Sequence, residues 1–288
     1  MFEASFDGQW AIRRIGREVS LYALTGALSA PKKKLTLPDE RDALVWVGPP
    51  HALARVSNAH APVPTRVELL GPDLTPSAKL DLDSRFSLAG VSGPRLALVG
   101  PDLQDALTNV VVVRTAGTGL AAQPLDVNGV PVEHVVGVPN QFLFVLRKDA
   151  MHLYDAMSSR SVGRPQLPLP PAPRTMGNAF GHVWCTHAST SDIYVYRLSD
   201  GRPFRHVVGA AIEKVISHPG TPIIVIITPR GPVRLHCQAH SLTLIDCPWA
   251  PGSDYALAAG ATPDDAWLVG IPPDNNVPWR VSVGKPVK

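Results

Sequence analysis

Apolar and polar residues alternate along residues 182–201, HVWCTHASTSDIYVYRLSDG, in two runs divided by a polar turn. Val183, Cys185 and His187 alternate with Trp184 and Thr186. After Ser-Thr-Ser-Asp, Ile193, Val195 and Arg197 alternate with Tyr194, Tyr196 and Leu198. Period-two runs joined by short turn clusters predict an antiparallel hairpin. The next turn carries Asp200-Gly201, whose glycine takes the positive φ of a tight turn at little steric cost.

The same unit recurs along the chain. Residues 9–15, 19–24 and 33–37 read as a meander, and residues 43–83 carry the short apolar runs ALVWVG, ALARVSN, RVELLG and AKLDLD. Residues 86–127 carry FSLAGV, RLALVG, NVVVVRT and the weaker AAQPLDV. Glu133-His-Val-Val-Gly-Val-Pro139 aligns with Glu213-Lys-Val-Ile-Ser-His-Pro219 at an offset of 80 residues. Half that offset sets Leu143-Phe-Val on Val183-Trp-Cys, so three consecutive units share a period of 40.

Repeats of about 40 residues with four strands each predict the blades of a β-propeller. Stacking lets blades bury faces that one blade leaves exposed. The expected units are 1–38, 42–84, 86–128, 132–171, 174–210, 212–248 and 254–284, in a single all-β domain spanning 1–288. The last unit shows three strands, and residues 1–6 are expected to supply its outermost one, closing the ring with a terminal strand. The chain resembles a seven-bladed propeller of the WD40-like or YVTN-like type over essentially its whole length. The resemblance rests on strand rhythm, since none of Trp10, Trp46, Trp184, Trp249, Trp267 and Trp279 is followed by Asp. Two β-sandwich domains are the competing architecture. The only linker-like stretch, 165–173, falls where one blade would pass to the next.

Composition narrows the picture. The 288 residues are 45% hydrophobic, enough for a core, and 18% charged, with 30 Pro and 23 Gly. Proline at about twice its usual share suits many short strands and disfavours long helices. A net charge of +3 and a pI near 8.8 are too weak to indicate nucleic-acid binding. The opening MFEASFD has neither a basic nor an apolar segment, so no signal peptide is expected. The most apolar run, 222–228, is far shorter than the roughly 18 residues of a membrane span. Three Cys fit a reducing compartment, and a cytoplasmic location is expected.

Candidate chemistry is sparse. Gly117-Thr-Gly119-Leu-Ala-Ala122 has the spacing of a dinucleotide fingerprint, but Pro124 and Asn128-Gly129 leave no helix to meet a pyrophosphate, so a turn is expected. Gly90-Val-Ser-Gly93 and Gly284-Lys285 lack the spacing of a nucleophile elbow and of a phosphate loop. His182 and His187 lie on opposite faces of one strand. A hairpin centred near 240–241 would pair Cys237 with residues near 244, too far from Cys247 for one tetrahedral zinc site with His236 and His240. Small apolar cysteines packed between blades are the reading instead.

The resemblance implies that a propeller enzyme would place its carboxylates, histidines or metal ligands at inner strand ends. There Glu133, His134, Arg174, Asn178, Glu213, Lys214 and His218 offer polar atoms. Glu133 and Glu213 recur at one repeat position, which favours a structural role. Lys32-Lys33-Lys34 on an outer strand reads first as protection of a sheet edge. The expected function is therefore a non-catalytic protein-interaction scaffold or adaptor in a larger assembly, with protein partners, no cofactor or metal, no membrane insertion and no nucleic acid. His187, Asp192, Arg202, Trp279, Lys32, Lys33 and Lys34 are the expected partner contacts. The alternative is a propeller-type hydrolase or lyase with its site at a channel mouth.

Overall fold

The computed structural model describes residues 1–48, 52–57, 64–100, 109–116, 119–125, 132–138, 141–146, 151–155, 160–163, 173–187, 191–274 and 277–284. Among the described residues the secondary structure is all strand and turn, with no helix, and hence none long and apolar enough to cross a membrane. In every sheet the strands follow chain order, each antiparallel to the next.

The first sheet holds Phe2–Ala4 (β1), Trp10–Ile15 (β2), Glu18–Ala23 (β3) and Lys33–Thr36 (β4). The second holds Ala43–Val47 (β5), Ala52–Ser57 (β6), Arg66–Leu70 (β7) and Pro76–Asp81 (β8). Ser87–Ser92 (β9), Arg95–Gly100 (β10), Asn109–Ala116 (β11) and Gly119–Leu125 (β12) make the third. The fourth comprises Val132–Val138 (β13), Gln141–Leu146 (β14), Met151–Asp155 (β15) and Arg160–Gly163 (β16). The fifth comprises Pro173–Ala179 (β17), His182–His187 (β18), Asp192–Arg197 (β19) and Pro203–Val207 (β20). Lys214–Ser217 (β21), Ile223–Thr228 (β22), Gly231–His236 (β23) and Ser241–Leu244 (β24) form the sixth. The seventh has three strands, Asp254–Ala259 (β25), Ala266–Ile271 (β26) and Trp279–Ser282 (β27). Each sheet lies inside one of the expected stretches, except that the fifth begins one residue earlier, at Pro173.

Two compact units divide the chain: Met1–Leu35 with Leu169–Lys288, and Thr36–Pro168. In the second unit, Val47, Ala54, Val56 and Val67 of one sheet share a core with Leu96, Leu98 and Val113 of the next. On the opposite face of β10, Ala97 and Val99 join Val132 and Phe142. Arg95–Gly100 is buried along its whole length because both its faces are covered. That is why the residues after Arg95, LALVG, run on apolar instead of alternating.

The first unit repeats this logic. Ile224 and Ile226 pack with Trp184, Ile193 and Val195 of the fifth sheet, while Ile223, Val225 and Ile227 pack with Tyr255, Leu257 and Leu268 of the seventh. Each such side chain contributes about 1.5–3 kcal/mol by leaving water. The first sheet then packs on the seventh: Phe2, Ala4, Ala11, Tyr22 and Leu24 share a core with Ala256, Ala258, Val269 and Ile271.

This packing corrects one expectation. Residues 2–4 do not serve as an outermost strand of the last unit; they pair with β2, Phe2 opposite Arg13 and Ala4 opposite Ala11. Phe2 and Ala4 are buried in the core between the first and seventh sheets, a position that only an inner strand can take. Two other expectations concern turns. The β23–β24 turn occupies residues 237–240, with His236 opposite Ser241, so the hairpin centres about two residues earlier than expected. Gly119–Leu125 continues as strand, as the turn reading of the glycine motif requires, while Gly117 and Thr118 lie outside the described residues.

An ion pair between a buried arginine and a half-buried aspartate fastens the junction of the first and seventh sheets. The Arg13 Nε–H donates to Asp254 Oδ2 at 2.8 Å, with the arginine side chain 8% exposed. Gly8, at φ 65°, lies so close to the seventh sheet that a Cβ there would stand 2.1 Å from the Ala259 carbonyl oxygen. Breaking a buried pair leaves a desolvated charge without its partner. Because the aspartate left behind keeps some access to water, Arg13→Ala should lower unfolding free energy by about 2 kcal/mol. Urea denaturation of Arg13→Ala, Asp254→Ala and the double variant checks this, and the double variant should lose less than the two single losses together.

Candidate functional site

Within the first unit, the turns that join first to second strands meet in a row. The Phe180 N–H donates to the Thr221 carbonyl at 2.9 Å, linking the fifth and sixth sheets. Gly220 lies against Ala259, and Gly8 against the same residue from the other side. His218 closes the row from within: its Nδ1 accepts the Gly220 N–H at 3.0 Å, so Nε2 carries the proton and donates to the Ser5 carbonyl at 3.2 Å.

The turns that join third to fourth strands add a cluster of cations and rings. Phe204 and His206 lie on one face of β20, opposite the buried Val195 and Ile193, so both point toward the sixth sheet. From that sheet His240, at φ 52° in the β23–β24 turn, sets its ring 3.8 Å from Phe204 and 5.7 Å from His206. Arg197 and Arg202 hold their guanidinium carbons 5.6 and 5.2 Å from the Phe204 centroid. Such contacts contribute about 0.5–1 kcal/mol each where exposed. Asp200 steadies the turn, accepting from the Arg202 N–H at 3.0 Å and from Arg197 Nη1 at 3.2 Å. An exposed apolar side chain accompanies the cluster: Phe180, 42% exposed, sits in the β17–β18 turn, whose Gly181 carbonyl accepts from the Leu198 N–H at 3.0 Å.

The seven expected contacts are not brought together. Arg202 is exposed and belongs to the cluster. His187 ends β18 half-buried. Lys32, Lys33 and Lys34 are all exposed at or beside β4, the outer edge of the first sheet, where lysines discourage edge pairing. Asp192 does not stand exposed in a turn: it opens β19, is 3% exposed and accepts from Arg205 Nε at 2.7 Å. Trp279 likewise packs inward, edge-on to Tyr255 at 5.9 Å and over Gly270. Phe204, His206 and His240 carry the cluster without having been singled out. The signal for them was the shared repeat, which puts the turns at 198–202 and 237–240 at matching places in consecutive units.

Solved structures with the same architecture cover nearly all of the chain. The β-propeller domain of Cps50 (Swd1) from Myceliophteria thermophila matches with TM-score 0.63 and 14% identity, over 98% of this chain and 96% of that one. The Pan2 WD40 domain of Neurospora crassa matches with TM-score 0.65 and 8% identity, over 100% and 90%. The chain has a WD40-like β-propeller fold. A chain of the mitotic checkpoint complex also matches, with TM-score 0.62 and 14% identity, over 97% and 86%. No family model and no curated protein sequence matches.

Electrostatics separates the surface cluster of this propeller from its interior. Burial lowers the His206 pKa, helped by neighbouring His240. Burial also lowers that of His240, helped by Arg197, His182 and Arg202. Both shifts favour the uncharged rings, and the arginines supply the charge. Buried atoms His206 Nε2 and His240 Nδ1 have no hydrogen-bond partner among the described residues. Cys237 is buried in the core, its thiol pushed up to about 12 by burial, and Cys247 packs in the neighbouring cluster. Among the described residues no group of three His, Cys, Asp or Glu is placed to hold a metal ion.

Beneath the row of turns lies a cavity of about 80 Å³ lined by Glu3, Phe6, Ile216, His218 and Leu257 among others. Burial raises the Glu3 carboxyl to about 7 against the pull of Lys214, although the residue as a whole is only partly covered. Burial lowers His218 to about 4, with the Ser5 bond opposing. A carboxyl raised beside a histidine lowered is how acid–base pairs are tuned. Here it is a packing feature. The space is far below the roughly 300 Å³ of a small ligand site, and both His218 nitrogens are already bonded to the backbone.

The two groups make opposite pH slopes. His218, lowered from 6.5 to about 4, costs stability as pH falls through that window, about 3 kcal/mol when complete. Glu3, raised from 4.5 to about 7, gives stability that is present below 4.5 and lost as pH rises through 7. Glu3→Gln should therefore be more stable than the parent at pH 8 and lose stability more steeply between pH 6.5 and 4. His218→Asn should flatten that acid loss. Urea unfolding at pH 4–8 measures both, and parallel profiles for all three proteins would contradict the assignment.

Proposed function

We propose that this propeller is a non-catalytic protein-interaction module, an adaptor or scaffold subunit of a larger cytoplasmic assembly. It docks a partner through the cluster around Phe204. The carrying observation is the aromatic ring held between His240 and the guanidinium groups of Arg197 and Arg202. Preorganised arginine–aromatic groups dominate binding energy at protein interfaces. The exposed Phe180 supplies apolar area nearby, and Asp200 lends a polar edge.

Several features support the remaining parts of this reading. Cys185, Cys237 and Cys247 are all free thiols, in keeping with a reducing compartment. The cluster holds Asp200 against its cations, and the chain carries only +3 overall, which favours a protein partner over nucleic acid. His187 and Lys32–34 stand apart from the cluster and are taken as peripheral contacts. Asp192 and Trp279 act through the packing they hold. The reading treats residues 1–288 as one domain, for which a single cooperative unfolding transition is expected.

Affinity purification of the tagged chain from its native host, with quantitative mass spectrometry, tests the proposal. Arg197→Glu/Arg202→Glu should leave the melting temperature within about 2 °C of the parent, as surface changes do. Recovery of a stoichiometric partner should fall at least about tenfold, the loss of about 1.4 kcal/mol. Undiminished recovery would refute this docking face.

A further inference from the structure

Among the described residues, six sheets have four strands and the seventh stops at its third, β27. The hydrogen-bond phase of that strand fixes which way its backbone points. The Val283 N–H donates to the Ala266 carbonyl at 2.9 Å. In an antiparallel ladder, residues two apart point the same way. Val281 and Trp279 therefore bond toward β26, while Arg280 and Ser282 turn their N–H and C=O groups outward. β27 pairs with β26 alone.

The two flanks of this edge differ in chemistry. Trp279 and Val281 pack in one apolar cluster with Ile245, Cys247 and Trp249, all half-buried, which follow β24 of the sixth sheet. On the other flank the exposed Arg280 donates from Nη1 to the Leu24 carbonyl of the first sheet at 2.7 Å. On the outer strand of that sheet the exposed Lys33 takes the face turned to the seventh sheet, since Lys32 donates its N–H to the carbonyl of Leu21, which faces away. Neither β27 nor β4 contains an acidic residue, and the exposed Asp246 belongs to the apolar flank. Sheets pack rank against rank, since β25 touches β1 and β21. A fourth strand on β27 would thus lie between β24 and the lysine-bearing β4.

We propose that the outward edge of β27 takes an extended segment of a partner protein as a fourth strand, with alternating apolar and acidic residues. The apolar residues cover Ile245, Cys247 and Trp249, and the acidic ones meet Arg280 and Lys33. Main-chain bonds to Arg280 and Ser282 provide attachment and the alternating side chains provide selectivity, as in other strand-addition complexes. This rests on the protein-interaction reading above and adds a contact separate from the Phe204 cluster.

The test fuses the strand Glu-Val-Glu-Val-Glu-Val to the full chain after Lys288 through a Gly/Ser linker of about 12 residues, which spans roughly 20 Å. Amide hydrogen exchange at Arg280 and Ser282 should slow at least tenfold relative to a fusion of linker alone. A Lys-Val repeat should protect less than the Glu-Val repeat. Ser282→Pro removes an outward N–H that no internal bond uses, so it should abolish the protection and leave the melting temperature unchanged. Unchanged exchange in the Glu-Val fusion would overturn the proposal, and equal protection by the Lys-Val strand would overturn its charge assignment. Slow exchange in the parent chain that depends on its own concentration would make a second copy the occupant and also overturn it. A partner whose recovery depends on Arg202 but not on this edge would sink this proposal alone.

Discussion

Burial on two faces is the constraint on which the structure depends. Strands such as β10, β22 and β26 are apolar on both sides, so each sheet needs a neighbour on each side. Within the first unit this requirement brings the N-terminal and C-terminal sheets together. Phe2 and Ala4 enter a core shared with Ala256 and Val269, and Arg13 reaches Asp254 across the junction. Gly8 has no side chain because the backbone at Ala259 occupies that space. The same packing leaves the turns in a row, and the row places Phe204, His240 and the two arginines within reach of one another.

Strand rhythm was legible because a sheet covered on both faces leaves a continuous apolar run in its central strand and weaker alternation at its edges. The runs RLALVG and IIVIIT followed from that, and so did the seven units. The first strand was misplaced because FEA is too short to carry a pattern, and its neighbour in space was invisible until the register with Arg13 was known. Asp192 and Trp279 read as exposed because each borders a turn. Arg205 reaching back to the aspartate, and Tyr255 lying under the indole, are contacts between residues far apart in pattern. The cation–aromatic cluster was hidden for the same reason: Phe204 and His240 belong to different repeats, and only the stacking of sheets makes them neighbours.

The interior and the surface of this propeller divide the chemistry between them. Glu3 and His218 have the opposed shifts of an acid–base pair, yet the small cavity and the two backbone bonds on the imidazole commit them to structure. At the surface, Arg202 is exposed while Phe204 beneath it lies against the His240 ring of the neighbouring sheet. Ordering such a group before a partner arrives reduces the entropy cost of binding. A rigid scaffold presenting a few preset side chains is the physical basis for reading the chain as a docking module.

The most direct measurement of that claim places a photo-crosslinking residue at Pro203, beside the arginine–phenylalanine stack, and a second at Lys79 on β8 as a control. Both positions are exposed. After irradiation in the native host, Pro203 should yield one dominant protein adduct that is absent at Lys79 and lost when Arg197 and Arg202 are reversed in charge. Equal adducts from both positions, or none from Pro203, would contradict the account.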